Sequence, residues 1–288
     1  MHDAPQPSPP GTLAIVATPI GNLRDITLRA LDVLRAADVI AAEDTRNSQH
    51  LLGAYGIQAK LVAVHEHNEA AAAGRIVEDL RAGKRVAYIS DAGTPGLSDP
   101  GARLVQAVRT AGLPVMPVPG ASALAAAVSV SGLEGGFLFQ GFLPPKATAR
   151  RKVLEGLRDI PAALVFYEAP HRIEETVADL AQMLGSERDI LFAREITKKF
   201  EQLRACPLAE ATAWLAEDDN HRRGEFVLVV GPPAAKVEAE DGEGRRVLEI
   251  LLAELPLKQA AQLGAKLTGG RKNELYDLAL SLKKETEK

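Results

Sequence analysis

Four short polar segments hold many of the residues able to do chemistry in this 288-residue chain. They read Thr18-Pro-Ile-Gly-Asn-Leu23, Glu43-Asp-Thr-Arg46, His65-Glu-His-Asn-Glu69 and Ser90-Asp-Ala-Gly-Thr-Pro-Gly-Leu-Ser-Asp-Pro-Gly101. Each follows a short apolar run, so each marks a strand end. In a parallel sheet the C-terminal ends of strands share one edge, and ligands of α/β proteins bind there. Carboxylates, imidazoles and hydroxyls from four strand ends would therefore line one cleft. The segment from Ser90 to Gly101 is the longest, with three glycines and two prolines. Glycines let a ligand approach the main chain, while Pro95 and Pro100 fix φ and hold the loop's shape in advance. Asp91, Thr94, Ser98 and Asp99 make a binding loop a better reading of it than a plain rigid turn.

Several familiar chemistries are missing. There is no G-x-x-x-x-G-K-[ST] phosphate loop and no G-x-G-x-x-G after the first strand, so neither a nucleotide cradle nor an ordinary dinucleotide site is supported. His65 and His67 stand at i, i+2, as metal ligands on an extended strand do, but no third ligand cluster accompanies them; hydrogen bonding is the better reading, and no metal is expected. Ser122 lacks the G-x-S-x-G elbow of a nucleophile and reads as a helix cap or ligand contact. The second half adds Gly141-Phe-Leu-Pro-Pro-Lys146, the basic run Arg150-Arg-Lys152, Tyr167-Glu-Ala-Pro-His-Arg172 and Arg194-Glu-Ile-Thr-Lys-Lys199. A solvated helix face competes with anion binding for the basic groups. Their place beside proline-rich strand ends favours an anionic substrate. Tyr167 could stack on a base, and Glu168 could accept from a hydroxyl or amide.

The elements that must position these groups follow from the apolar pattern. Strands are expected at 13–17, 38–42, 61–64, 85–89 and 115–118, with helices between them that carry Leu28, Leu31 and Leu34, then 49–54, then Ile76, Val77 and Leu80. Asp25 or Thr27 is available near the start of the first helix, and Asn68 can cap the third. This alternation makes a largely parallel α/β sheet. Pro119-Gly-Ala-Ser122 is a hinge, followed by a small-residue helix over 123–130. A second sheet is expected from strands at 137–140, 163–166, 189–193 and 226–230, with helices near 146–157, 171–184 and 207–216. The domains read as a disordered tail (1–11), an N-terminal α/β domain (12–119), a C-terminal α/β domain (120–232), a linker (233–243) and a helical domain (244–288). That last segment has helical patterns near 244–254, 257–267 and 273–284, and nine Lys or Arg against six Asp or Glu from Arg245 onward. Lys258, Lys266, Arg271 and Lys272 flank its Thr-Gly-Gly turn, which suits a helix-turn-helix unit; a simple helical cap or dimer contact is the plainer alternative.

Composition narrows the class. At 25% charged and 46% hydrophobic the chain reads as an ordinary globular protein, and its net charge of −4 confines any nucleic-acid site to a local patch. A single cysteine, Cys206, rules out internal disulfides and fits a reducing cytosol. No apolar run approaches the roughly 20 residues that span a bilayer. The proline-rich start lacks the apolar segment of a signal peptide. A soluble, cytoplasmic protein is expected.

In order, A-T-P-I-G-N-L-R-D-I-T, A-E-D-T-R, H-E-H-N-E, S-D-A-G-T-P-G-L-S-D-P-G, P-G-A-S-A, S-G-L, G-F-L-P-P-K, Y-E-A-P-H-R and R-E-I-T-K resemble the ribosomal RNA small subunit methyltransferase I family of the tetrapyrrole (precorrin) methylase superfamily. The resemblance covers about residues 12–231, and the tail is similar to the helical domain often appended to these enzymes. It implies two α/β domains with S-adenosylmethionine in the cleft between them, and usually a homodimer. The implied reaction is methyl transfer to a cytidine ribose 2′-hydroxyl in the decoding region of 16S ribosomal RNA. Carried over by position, Ile20 and Gly21 would border the cofactor. Asp91, Ala92, Gly93 and Thr94 would hold its amino-acid end and sugar, with Ser122 and Ala123 on the far side and Gly231 and Pro232 at the adenine. A sulfonium donor needs neither metal nor phosphate cradle, which agrees with the missing signatures. Glu43, His65, Glu66, Glu168 and Lys198 are unranked candidates for the base. Lys146, Arg150, Arg151, Arg194, Lys198 and Lys199 would neutralise RNA phosphates, joined by Lys258, Arg271 and Lys272, and Tyr167 would stack the displaced base. A small-molecule methyltransferase of the same superfamily and a non-catalytic RNA-binding factor stay open as alternatives.

Overall fold

The computed structural model describes residues 4–65, 68–234 and 240–286. Short apolar runs build the first sheet: β1 (Leu13–Val16), β2 (Val39–Ala42), β3 (Lys60–Ala63), β4 (Val86–Ile89) and β5 (Val115–Val118). All pair in parallel, in the order β3-β2-β4-β1-β5. β2 and β4 are buried along their whole length, as the central strands of a sheet covered on both faces must be. Four helices connect the strands: α1 (Leu28–Ala36), α2 (Thr45–Ala54), α3 (Glu69–Arg81) and α4 (Ala102–Thr110). Leu31 and Leu34 of α1 join one core layer, while Ile76, Leu80 and Leu104 join the other. The registers Ala42↔Ile89 and Ala42↔Ala63 bring the ends of β2, β4 and β3 level on one edge.

α5 (Ala123–Ser129) leads into a second sheet of β6 (Phe137–Phe142), β7 (Ala163–Glu168), β8 (Asp189–Arg194), β9 (Gln202–Pro207) and β10 (Phe226–Val230). Its order is β6-β7-β10-β8-β9, parallel only between β6 and β7. α6 (Ala147–Leu157), α7 (Ile173–Leu184) and α8 (Leu208–Glu217) cover one face through Leu154, Val177, Leu180 and Trp214. α5 covers the other through Ala127, whose small side chain lets it lie close to Val227 and Val229.

The structure adds one strand to the expected four. β9 pairs antiparallel with β8, yet only Cys206 of its six residues is buried. An edge strand this exposed carries little apolar alternation for a sequence reading to find. Two further differences concern ends. Asn68 does not cap α3 with its side chain; its amide oxygen accepts from the His65 N–H at 2.9 Å and its amide donates to the Ala63 carbonyl at 3.0 Å. Thr27, in contrast, caps α1 by accepting from the Ala30 N–H. The start, expected as a disordered tail, meets the first domain at Gln6 and Ser8. Ser8 is buried with its carbonyl accepting from Arg85 Nε, and the Gln6 N–H donates to Asp32.

The chain divides into two compact units, one ending at Pro232 and the other beginning at Pro233. The second holds α9 (Glu240–Glu254), α10 (Leu257–Thr268) and α11 (Lys272–Thr286) around a core of Leu248, Ala260, Leu275, Ala279 and Leu282. Gly269, at φ 73°, ends α10 in the left-handed conformation that glycine adopts at no steric cost. Among the described residues no helix is long and apolar enough to cross a membrane.

Candidate active site

Three loops from the strand ends of the first half are joined by hydrogen bonds. Thr18 N–H donates to the Gly93 carbonyl at 2.8 Å and Gly93 N–H returns a bond to Thr18 at 3.0 Å. The Thr94 hydroxyl donates to the Ala121 carbonyl at 3.0 Å, which ties in the hinge. Gly93 has φ 79°, and a Cβ there would press to 3.3 Å from Ile20 Cγ2. The left-handed backbone favours glycine there, and any larger residue would also have to displace Ile20 slightly. Ser122 caps α5 by accepting from Ala125 N–H at 3.4 Å.

These loops form one wall of a cavity of about 280 Å³, with Ile20, Ala92, Gly93, Thr94, Ser122 and Ala123 facing it. The opposite wall comes from the second sheet. Tyr167 and Glu168 end β7, Phe142 ends β6, and Phe226 and Val227 begin β10. The loop after β8 closes the side with Glu195, Ile196 and Lys198. The space is therefore bounded by main chain and small residues on one side and by aromatic and aliphatic groups on the other. This suits a ligand with both a polar end and an apolar ring.

Strain concentrates here. Among the described non-glycine residues only Ser98, Glu195 and Thr197 have positive φ, at 64°, 51° and 66°. All three belong to loops that line the cavity. Such conformations persist where the surroundings over-determine them, and they cluster at functional sites.

Several sequence-derived candidates fall into this wall, and others do not. Ile20, Ala92, Gly93, Thr94, Ser122 and Ala123 line the cavity, and Gly21 lies beside it under the Lys198 stem. Asp91 points elsewhere: its carboxylate accepts from Asp44 N–H at 3.0 Å and Asn47 Nδ2 at 2.9 Å, tying the end of β4 to the start of α2. Gly231 and Pro232 are at the wrong edge. β10 runs antiparallel to β7, with Phe226 beside Glu168 and Val230 beside Leu164, so its C-terminal end points away from the cavity. There the Gly231 carbonyl accepts from Arg188 Nε at 2.7 Å.

The base candidates separate as well. Glu168 faces the cavity, but its side chain is fully buried and engaged. It accepts from Ala169 N–H at 2.8 Å, from the Thr176 hydroxyl at 2.6 Å and from Arg172 at 3.2 Å. Lys198 donates to Glu195 at 2.8 Å and to Glu225 at 2.7 Å. Burial pulls its pKa down, but those two carboxylates outweigh it and raise it, so the amine stays protonated. Glu43 sits outside the cavity; burial, then the Asp91 and Asp44 charges, push its carboxyl up against the opposing Asp91 N–H bond. His65 closes β3 within the Asn68 turn, and Glu66 and His67 lie outside the described residues.

The presumed phosphate contacts divide by burial. Arg150 is 2% exposed, bonded to Asp179 at 2.6 Å and Glu175 at 3.5 Å, and Arg151 shares Asp179 at 2.7 Å. Arg194 is buried between Gln202 and the Arg223 carbonyl. Burial of an arginine without a partner is prohibitive, so Arg150 and Arg194 hold the second domain together and do not face solvent. Lys146, Lys199, Lys258, Arg271 and Lys272 are exposed, and Lys199 lies 5.3 Å over the ring of the exposed Phe200. Tyr167 is not a free stacking platform. Its hydroxyl accepts from Leu124 N–H at 3.1 Å, and its ring meets Phe139 and Phe142 edge-on at 4.9 and 5.7 Å. Phe142, 52% exposed, is the aromatic open to a ligand.

Sequence reasoning missed Phe142, Glu195 and Ile196 as lining residues, and placed Asp99 in a binding loop without giving it a role. Each belongs to a motif already singled out, but polar loop residues and basic groups drew the assignment. What selects them is the approach of two sheets, which no local pattern encodes.

Residues 12–212 match the family model for tetrapyrrole (corrin/porphyrin) methylases, and residues 238–283 match the RsmI C-terminal HTH domain. A Pseudomonas aeruginosa protein named ribosomal RNA small subunit methyltransferase I is 53% identical over 94% of this chain and 97% of its own. Proteins of the same name are 53% identical in Neisseria meningitidis serogroup B, over 95% of this chain and 94% of its own, and 46% identical in Escherichia coli O157:H7, over 94% and 95%. Among solved structures, a cobalt precorrin-4 methyltransferase aligns with a TM-score of 0.58 at 17% identity, over 77% of this chain and 95% of its own. A uroporphyrin-III C-methyltransferase from Thermus thermophilus, complexed with S-adenosyl homocysteine, aligns at 0.55 and 20% identity, over 76% and 97%. At those identities the structural likeness carries the fold alone.

Proposed function

Because this chain belongs to the ribosomal RNA small subunit methyltransferase I family of the tetrapyrrole methylases, we propose that it methylates the ribose 2′-hydroxyl of a cytidine in the decoding region of 16S ribosomal RNA, with S-adenosylmethionine as donor. The observation that carries the reading is the cavity between the two sheets, with main-chain-tied loops on one side and Phe142 on the other. Its residues fit the donor. Thr94 and Ser122 offer hydroxyls, Gly93 lets the main chain approach closely, and Ile20, Ala123 and Ile196 offer apolar surface to an adenine. Asp99 and Glu195 place negative charge beside a sulfonium.

The donor supplies an already activated methyl group. What the chain must add is orientation, since holding two reactants in line can lower a barrier by about 7–11 kcal/mol. The Thr18–Gly93 and Thr94–Ala121 bonds fix the donor's wall. Phe142 gives the target base a face to stack on, a contact worth about 1–3 kcal/mol for single-stranded nucleic acid. Lys146 and Lys199 are placed to meet phosphates at the second domain, as are Lys258, Arg271 and Lys272 on the helical unit. Binding through them falls as salt rises. A homodimer is the assembly we expect, since Phe200 and Leu203 leave apolar surface exposed at the β9 edge.

The test is methyl transfer from labelled S-adenosylmethionine to small ribosomal subunits or their RNA, followed by mapping of the modified nucleotide. Label in a ribose of the decoding region is expected. Label only in a corrinoid or porphyrin would sink the RNA assignment, and no binding of S-adenosylhomocysteine by calorimetry would sink the enzyme.

A further inference from the structure

Six ionisable side chains face the cavity: Asp99, Tyr167, Glu168, Glu195, Lys198 and Glu225. Five are committed. Glu168 serves Ala169, Thr176 and Arg172, Lys198 bridges Glu195 and Glu225, and the Tyr167 hydroxyl accepts from Leu124. Among the described residues Asp99 has no ion pair, and the hydroxyl beside it, that of Ser90, donates to the Ala92 carbonyl at 3.3 Å.

Its position is fixed by unusual means. Ser98 before it is held at φ 64°, and Pro100 after it has its φ set by the ring. One residue on, the buried Glu69 carboxylate accepts from Gly101 N–H at 3.1 Å and Leu104 N–H at 2.9 Å. Across the cleft the Ser98 hydroxyl abuts Gly141 of β6, where a Cβ would fall 2.5 Å from Ser98 Oγ. Asp99 is thus presented from the donor's wall toward the side where Phe142 and Tyr167 stand.

We propose that Asp99 is the general base of the reaction, taking the proton of the attacking ribose hydroxyl. The assignment rests on the methyltransferase reading given above. As the hydroxyl oxygen bonds to the methyl carbon, the carbon–sulfur bond breaks with its electron pair left on sulfur, and the hydroxyl proton passes to a carboxylate oxygen of Asp99. Charge balances: a sulfonium and a carboxylate become a thioether and a carboxylic acid.

The surroundings tune the group for this task. Burial, then the charge of Glu43 from the end of β2, raise the Asp99 carboxyl to about 6, with Asp91 adding to the effect and the Ser90 hydroxyl opposing it. The hydroxyls of Tyr88 beneath it and Tyr167 across from it are themselves pushed upward, first by burial and then in part by the Asp99 charge. Neither phenol competes for the role. A base whose pKa lies just below the working pH is ionised yet strong enough to accept a proton in flight.

Single-turnover methylation of small subunits by Asp99→Asn and Asp99→Glu, followed across pH 5–9, tests this alongside calorimetry with S-adenosylhomocysteine. The wild-type rate should climb tenfold per pH unit below about 6 and level off above it. Asp99→Asn should bind S-adenosylhomocysteine as the wild type does, lose about 10²–10⁴ in rate and lack the acid limb. Asp99→Glu should recover part of the rate and restore that limb. A wild-type rate in Asp99→Asn overturns the assignment of Asp99 alone, and so does loss of S-adenosylhomocysteine binding in both variants. A wild type that methylates no small-subunit RNA overturns the parent reading, and with it the ribose hydroxyl as the source of the proton.

Discussion

Asp91 and Asp99 stand eight positions apart on the same loop and have opposite jobs. Asp91 accepts two hydrogen bonds from the start of α2 and receives no cavity-facing role, whereas Asp99 faces the cavity without an ion pair. Asp91→Ala should therefore weaken S-adenosylhomocysteine binding only by loosening the Glu43–Asp44 turn, together with a lower melting temperature. Unchanged melting with lost affinity would put Asp91 back in the site. The raised carboxyl of Asp99 also affects stability. A group that holds its proton longer in the folded state contributes fully below about pH 4, and that contribution is lost as pH rises through about 6. Asp99→Asn should accordingly stabilise the protein by about 1 kcal/mol at pH 8 and confer nothing at pH 4; denaturant melts at both pH values would measure it. At Arg150 the arithmetic differs again. Removing one partner of a buried ion pair costs about 3–5 kcal/mol, so Arg150→Ala should lower thermal stability while the salt dependence of RNA binding, measured below the melting point, keeps its slope. Neither role was legible from residue type, because Asp179 on α7 and Glu43 just after β2 come from elsewhere in the chain.

Among the elements, the loop between β8 and β9 does most to separate what the sequence says from what the fold does. Its R-E-I-T-K residues read as a basic patch. In the structure Arg194 is buried, Lys198 is paired twice, and only Lys199 is left with a free face. The Lys198 stem lies over Gly21, at φ 154°, and any Cβ at that position would collide with Lys198 Cγ. Gly21→Ala should cost about 1–3 kcal/mol of stability and weaken S-adenosylhomocysteine binding. Lys198→Ala made alongside it should relieve part of that loss, since residues in contact do not act additively. Full additivity in that cycle would show that the two do not meet. The strand ends of the first sheet were readable because a parallel strand's polar terminus lies next to it in sequence. The adenine contacts assigned to Gly231 and Pro232 failed for the complementary reason: β10 is antiparallel, and direction within a mixed sheet is not written in the strand itself.

For the whole molecule, fold class, the two-sheet division and the helical unit were all legible from periodicity and motif order, and family membership agrees with them. The cavity's second wall was not, since Phe142, Tyr167 and Ile196 come together only when the sheets meet. The helical unit has its own core of Leu248, Ala260 and Leu275. Truncation after residue 234 should therefore leave S-adenosylhomocysteine affinity intact while weakening subunit binding, most visibly at low salt. Loss of donor affinity in the truncated protein would show that the unit supports the cavity. One feature of the first sheet reaches beyond the reaction. β1 pairs with β4 and β5 and never with β2, so Leu13 has no strand partner until Val86 has been made. Loop closure over such spans is slow, and a growing chain must keep β1 waiting while most of its domain is synthesised. The bond pair between Thr18 and Gly93 lies just past that same junction. Pairing of β1 with β4 therefore brings the Thr18–Gly93 bonds within reach at once, whereas β5 and the Thr94–Ala121 bond, which finish the sheet and the donor's wall, must wait for the chain beyond residue 115.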